Sequence, residues 1–123
     1  MAKILIIEDD NANLEMFTSF VKTMGHDVLS ARHAQEGIEI AREEAPDIIL
    51  IDFYLPGTID GIQAIHLMKN DQKLATIPMI IITAHDSPRD RQRAFAAGAE
   101  GFLVKPVRIM ELKELVNSFI LHD

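Results

Sequence analysis

Two short apolar runs in this chain end in carboxylates. Ile4-Leu5-Ile6-Ile7 leads into Glu8-Asp9-Asp10, and Ile48-Ile49-Leu50-Ile51 leads into Asp52. Runs rich in β-branched residues recur near residues 3 to 8, 47 to 52 and 77 to 83, with shorter ones near 26 to 30 and 100 to 104, and these predict five strands. The intervening stretches carry apolar residues at helical spacing: Leu14, Phe17, Phe20, Val21 and Met24; then Ala34, Ile38 and Ala41; then Ile62, Ile65 and Met68. A last stripe of Leu112, Leu115, Val116, Phe119 and Ile120, with Glu111, Lys113, Glu114 and Asn117 on its other face, predicts a docked C-terminal helix.

Start and stop signals agree with this parse. Gly25 follows the first helix, Ser87-Pro88 offers an N-cap and a first-turn proline, and Gly98 follows Ala96-Ala97. Strands that read as continuous apolar runs, separated by helices, imply a parallel α/β sheet covered on both faces. Structure-forming pattern runs from Lys3 to about Leu121 with no repeat, linker or low-complexity segment, so residues 1–123 are expected to form one domain.

Composition narrows the chemistry. Cysteine is absent, which removes disulfides, thiolate metal sites and thiol nucleophiles. No apolar run approaches the length of a membrane span and no signal-peptide pattern opens the chain, so a cytoplasmic protein without membrane association is expected. With 12 basic and 19 acidic side chains the net charge of -7 opposes nucleic-acid binding. The only dense basic cluster, Arg89, Arg91 and Arg93, alternates with Asp90 and Gln92 and reads as a solvated helix face. Met16, Met24, Met68 and Met79 lie in apolar patterns as core filler. The histidines at positions 26, 33, 66, 85 and 122 show no paired ligand spacing, and Gly57 and Gly61 are too few for a phosphate-cradling loop.

In an open parallel sheet the site lies beyond the carboxyl ends of the strands. Those ends carry Glu8, Asp9 and Asp10, then Asp52, Thr83 and Lys105. Unit charges about 4 Å apart repel by roughly 4 kcal/mol at an effective dielectric near 20, so a gathered set of carboxylates calls for a cation. Magnesium suits it, taking oxygen ligands from one or two carboxylates together with phosphate. Lys105 could then hold a phosphate oxygen as a point charge, Thr83 could donate a hydroxyl, and Asp52 would be free to attack phosphorus. Each residue also has a plainer role. A carboxylate after a strand is usually a helix N-cap, which suits Asp10 best; Thr83 could be an ordinary strand-end hydroxyl and Lys105 a solvated loop lysine. Their joint occurrence at successive strand ends favours the chemical reading.

At this point the chain resembles the receiver domain of two-component response regulators, of the chemotaxis-regulator-like, single-domain kind. The matching segments are Ile4-Leu5-Ile6-Ile7-Glu8-Asp9-Asp10, Asp52-Phe53-Tyr54-Leu55-Pro56, Asp60-Gly61, Thr83-Ala84, Ala97-Gly98-Ala99 and Gly101-Phe102-Leu103-Val104-Lys105-Pro106. The resemblance implies a flavodoxin-like (βα)5 three-layer sandwich with strand order 2-1-3-4-5. It implies Asp52 as phosphoacceptor, and Mg2+ held by Glu8, Asp9, Asp52 and the backbone carbonyl of Tyr54. It further implies Thr83 and Phe102 as a switch pair, with Phe102 turning inward, and a cis Lys105-Pro106 bond. Three departures stand out: Gly57-Thr58-Ile59 makes the loop after Pro56 one residue longer than is common, Val107-Arg108-Ile109-Met110 gives an apolar entry to the last helix, and Phe102 lacks the hydroxyl of the tyrosine found in some members.

The function this implies is a phospho-accepting switch, charged by a histidine kinase or histidine phosphotransfer protein, that acts on a downstream protein and catalyses only its own phosphotransfer and dephosphorylation. Two alternatives come from other classes. An aspartyl-nucleophile phosphatase typically carries an acid two residues after the nucleophile, where this chain has Tyr54. A receiver-like scaffold that is never phosphorylated would be expected to lose Asp52, Asp9 or Lys105, and all are present.

Overall fold

Strands and helices alternate along the whole of the computed structural model, which describes residues 1–120. Leu121 and His122 therefore lie outside the described residues. In chain order the elements are β1 (Lys3–Ile7), α1 (Asn11–Thr23), β2 (Asp27–Ala31), α2 (Ala34–Glu44), β3 (Ile48–Asp52), α3 (Gly61–Lys69), β4 (Met79–Thr83), α4 (Pro88–Ala97), β5 (Gly101–Val104) and α5 (Ile109–Ile120). All strand pairs are parallel and the order is β2-β1-β3-β4-β5.

Side chains alternate across a strand, so each central strand feeds two cores. Leu5, Ile7, Ile49, Ile51, Met79 and Ile81 pack with residues of α2, α3 and α4 on one face. Ile4, Ile6, Ile48, Leu50, Ile80 and Ile82 pack with Leu14, Phe17 and Val21 of α1 and Leu112 and Val116 of α5 on the other. Burial on both faces is why these strands are apolar without interruption. The edge strand β2 is more polar, and its Asp27 and Ser30 are exposed.

Expected boundaries shift by a residue or two, for local reasons. The run from residue 77 becomes a strand only at Met79, because Pro78 has no N–H for the ladder and lends only its carbonyl, to Ile49 N at 2.9 Å. His26 N bonds back to Val21 O at 3.3 Å, closing the end of α1, so β2 starts one residue later than the pattern suggests. Asp10 caps α1 by accepting from Asn13 N at 2.9 Å, the plainer role weighed for it. Ser87 caps α4 ahead of Pro88, and Gly98 ends that helix in the left-handed region at φ +115°. Asp60 and Gln63 form a reciprocal capping box at the start of α3.

Candidate functional site

Parallel register brings the ends of the inner strands to one level. Ile7 is level with Ile51, Asp52 with Ile82, and Thr83 with Val104. Glu8, Asp52, Thr83 and Lys105 thus stand at or one residue beyond the ends of four adjacent strands. Lys105 N donates to Thr83 O at 2.7 Å, and the Lys105-Pro106 bond that follows is cis.

Three of these side chains converge. Lys105 Nζ lies 3.0 Å from Glu8 Oε1 and 3.4 Å from Asp52 Oδ1. Glu8 is only 2 % exposed; its Oε2 accepts from Asp10 N at 3.1 Å, while Oε1 faces Lys105 at ion-pair distance without the alignment of a hydrogen bond. Burial raises the Asp52 carboxyl to about 6, and the negative charge of Glu8 adds to this, against the opposing pull of Lys105 and of a hydrogen bond from the Tyr54 backbone. Burial works against the charge of Lys105 too, but Glu8 and Asp52 outweigh it and hold its pKa above the ordinary lysine value. One ammonium therefore faces two carboxylates, Glu8 buried and Asp52 largely so. An all-oxygen donor set with an excess of negative charge and an under-coordinated carboxylate oxygen is the chemistry that suits magnesium.

The expected acidic trio does not converge on one point. Asp9 is exposed, and its contact here is a backbone one, its carbonyl accepting from Arg32 Nη1 at 3.2 Å. Among the described residues no three carboxylate or imidazole groups meet closely enough to hold an ion by themselves. The pair that does meet, Glu8 and Asp52, is bridged by Lys105.

Thr83 is fully buried, with its hydroxyl accepting from His85 N at 3.2 Å. Tyr54 is half exposed; its phenol donates to Asp90 Oδ2 at 2.7 Å and its ring meets His85 edge-on at 5.4 Å. That hydrogen bond, together with burial and the charge of Asp90, raises the phenol above its usual pKa. Phe102 is half-buried on β5, under the Arg91 guanidinium at 4.5 Å and beside Phe95 at 6.4 Å.

The three arginines do lie on the exposed side of α4, where Arg91 pairs with Asp86 and Arg93 with Asp90. Sequence reasoning missed Asp90 itself. It sits at 8 % exposure on the buried side of α4 with Ala94, and its spacing four residues before Ala94 was the available signal. Gly61 enters the sequence reading as part of the Asp60-Gly61 match and as an unsuitable phosphate-loop glycine. Its real requirement is close approach, since a Cβ there would collide with the Asp52 carbonyl. Cavities of about 630 Å³ beside α1 and about 560 Å³ between α3 and α4 contain none of the site residues.

Comparison with known proteins gives a consistent picture. Residues 4–117 match the model of the response regulator receiver domain. The chain is 34% identical over 120 residues to the protein PilH of Pseudomonas aeruginosa, covering 98% of each. A crystal structure of a putative response regulator from Chloroflexus aurantiacus superposes with a TM-score of 0.93 at 27% identity, covering 98% of both chains. The receiver domain of a sensor histidine kinase from Pseudomonas aeruginosa, solved with a magnesium ion coordinated in its active-site cleft, superposes with a TM-score of 0.90 at 26% identity and covers 97% of each.

Proposed function

The chain belongs to the response regulator receiver domains of two-component signalling, and from that premise we propose that Asp52 is the residue that accepts the phosphoryl group. The observation that carries this reading is the Asp52 carboxylate at the end of a central strand, sharing the ammonium of Lys105 with buried Glu8. An Asp52 carboxylate oxygen attacks the phosphorus of a phosphohistidine. The phosphorus–nitrogen bond breaks, the imidazole leaves, and an acyl phosphate remains on Asp52.

The remaining residues take roles around that step. Lys105, already 3.4 Å from Asp52, neutralises charge on a phosphoryl oxygen as a point charge. The Thr83 hydroxyl donates to another oxygen, and its inward movement with Phe102 reports the modification to the surface. Glu8, Asp9, Asp52 and the Tyr54 carbonyl would hold Mg2+, which supplies charge neutralisation for the transfer.

In this reading residues 1–123 act as one receiver unit in the cytoplasm. The phosphoryl donor is a histidine kinase or histidine phosphotransfer protein, and the receiver of the signal is another protein, without direct nucleic-acid or membrane contact. The only chemistry is self-catalysed phosphotransfer and dephosphorylation.

Incubation with acetyl phosphate and magnesium, followed by intact-mass measurement, tests this. The protein should gain one phosphoryl group, lose the gain when magnesium is chelated beforehand, and show none in Asp52→Asn. Equal labelling of Asp52→Asn would overturn the assignment.

A further inference from the structure

Among the described residues three polar side chains are buried: Glu8, Thr83 and Asp90. The first two belong to the strand-end site. Asp90 does not, yet a carboxylate taken out of water at 8 % exposure is costly unless it is hydrogen-bonded or paired. Its Oδ2 accepts the Tyr54 phenol at 2.7 Å, and its Oδ1 lies 3.7 Å from Arg93 Nη1, which itself stands over the Phe53 ring. The backbone of Asp90 is fixed as well, because its N–H donates to the capping hydroxyl of Ser87 at 3.0 Å.

The other end of this bond lies next to the reaction site. Tyr54 is two residues beyond Asp52, and its backbone N–H is near enough to the Asp52 carboxyl to pull its pKa down against burial. One residue therefore follows Asp52 closely along the chain and grips the first turn of α4 through its phenol. The ring spans from the end of β3 to the segment after β4, where the His85 ring stands edge-on against it.

We infer that Tyr54 and Asp90 form a positioning pair that couples the first turn of α4 to the loop carrying Asp52, a second line between site and surface besides Thr83 and Phe102. This rests on the reading of Asp52 as phosphoacceptor. Coupling between two sites is reciprocal. A partner that displaces the start of α4 changes how long the phosphoryl group survives, and a phosphoryl group that shifts the loop changes the hold on α4. The bond is strong enough to matter, since losing the phenol takes from the buried Asp90 carboxylate its 2.7 Å hydrogen bond.

The test compares wild type, Asp90→Ala, Asp90→Asn, Tyr54→Phe and the double variant Tyr54→Phe with Asp90→Ala, each as the full chain. Amide exchange is read over residues 88–97 in the resting protein, and decay of label is followed by intact mass after acetyl phosphate and magnesium. Asp90→Ala should take up label as fully as wild type. Its α4 amides should exchange about tenfold faster, and its label should decay at a rate changed by about fivefold. Asp90→Asn keeps a carbonyl oxygen as acceptor for the phenol and should bring both exchange and decay most of the way back to wild type. The double variant should go no further than Asp90→Ala.

Unchanged exchange in Asp90→Ala, or effects of Tyr54→Phe and Asp90→Ala that simply add, would overturn the pair. Faster exchange with unchanged decay would reduce it to a staple without coupling, and that also overturns the inference. If wild type takes up no label, the reading of Asp52 fails separately, and the resting exchange of the variants alone then decides whether the pair holds α4.

Discussion

Lys105 is the residue on which the electrostatics of the site turn, because a single ammonium offsets two carboxylates that burial would otherwise penalise. That imbalance makes Asp52 a measurable liability in the protein stripped of divalent ions. Its folded pKa, about 6, stands above the unfolded value of 3.8, so the folded state holds the proton more tightly. The corresponding stability is fully present below the unfolded value and is lost as pH rises through about 6. Asp52→Asn should therefore melt above wild type at pH 7.5 in chelator, and the gap should close toward pH 4. Allowing for the water that still reaches the group, the gap is on the order of 1 kcal/mol, roughly 4 °C. His26 works in the opposite direction: burial and then the N-terminal charge lower its pKa, so its share of stability is lost as pH falls. It is common to both proteins and cancels in the difference. A gap that is the same at pH 4.5 and 7.5 would refute the charge assignment. At this scale the strand-end residues were legible because chemistry of this kind sits where apolar runs stop. Asp90 was not, because alternation with three arginines masks a buried position that only helical spacing to Ala94 gives away.

Elements were legible wherever a local signal has a local cause. Asp10, Ser87-Pro88 and Gly98 all act where their chemistry predicts, and the apolar periods match the buried faces. Boundaries slipped where a longer-range bond decides the end, as at His26 and Pro78. α2 shows the limit of capping rules: His33 makes no side-chain cap, and Glu36 instead accepts from Arg32 N at 3.1 Å. The division of labour among the three acids after β1 gives a prediction at this scale. Glu8 is buried beside Lys105, whereas the Asp10 carboxylate is committed to Asn13 N at the start of α1. Asp10→Ala should cost about 1 kcal/mol of stability, the usual value of an N-cap. Phosphoryl uptake from acetyl phosphate should remain at the wild-type level. Denaturant melts and intact mass on the same preparation check both halves, and loss of uptake with unchanged stability would show that Asp10 belongs to the site rather than to the helix.

For the whole molecule, hydropathy alone indicates a parallel sheet covered on both faces but does not order its strands. Which parallel neighbours pair depends on packing between distant segments, so the order 2-1-3-4-5 came from the family resemblance and is what the sheet adopts. That order puts β1 and β3 side by side, so Glu8 and Asp52 share one level, and it leaves β5 at an edge with α4 and α5 nearby. The edge is where a signal can leave. Phe102 is half-buried there beneath Arg91, Phe95 is 47% exposed on α4, and Met110 is 59% exposed at the start of α5. Of the apolar residues opening α5, Val107 is buried, while Ile109 is only partly so. A phosphoryl group can shift a pre-existing equilibrium only by the difference in its contacts with the two states. In the proposed reading Thr83 and Lys105 supply that difference, and Thr83 is linked to β5 through the hydrogen bond from Lys105 N to its carbonyl. Magnesium with beryllofluoride should therefore alter amide exchange across residues 84–112, with the largest changes in the β4–α4 connection and along β5. Magnesium alone should raise the melting temperature by mass action, by about 1.4 kcal/mol at ten times its Kd, while leaving that exchange pattern close to the resting one. Changes confined to the loops around Asp52, with residues 84–112 silent, would mean that this face does not carry the signal.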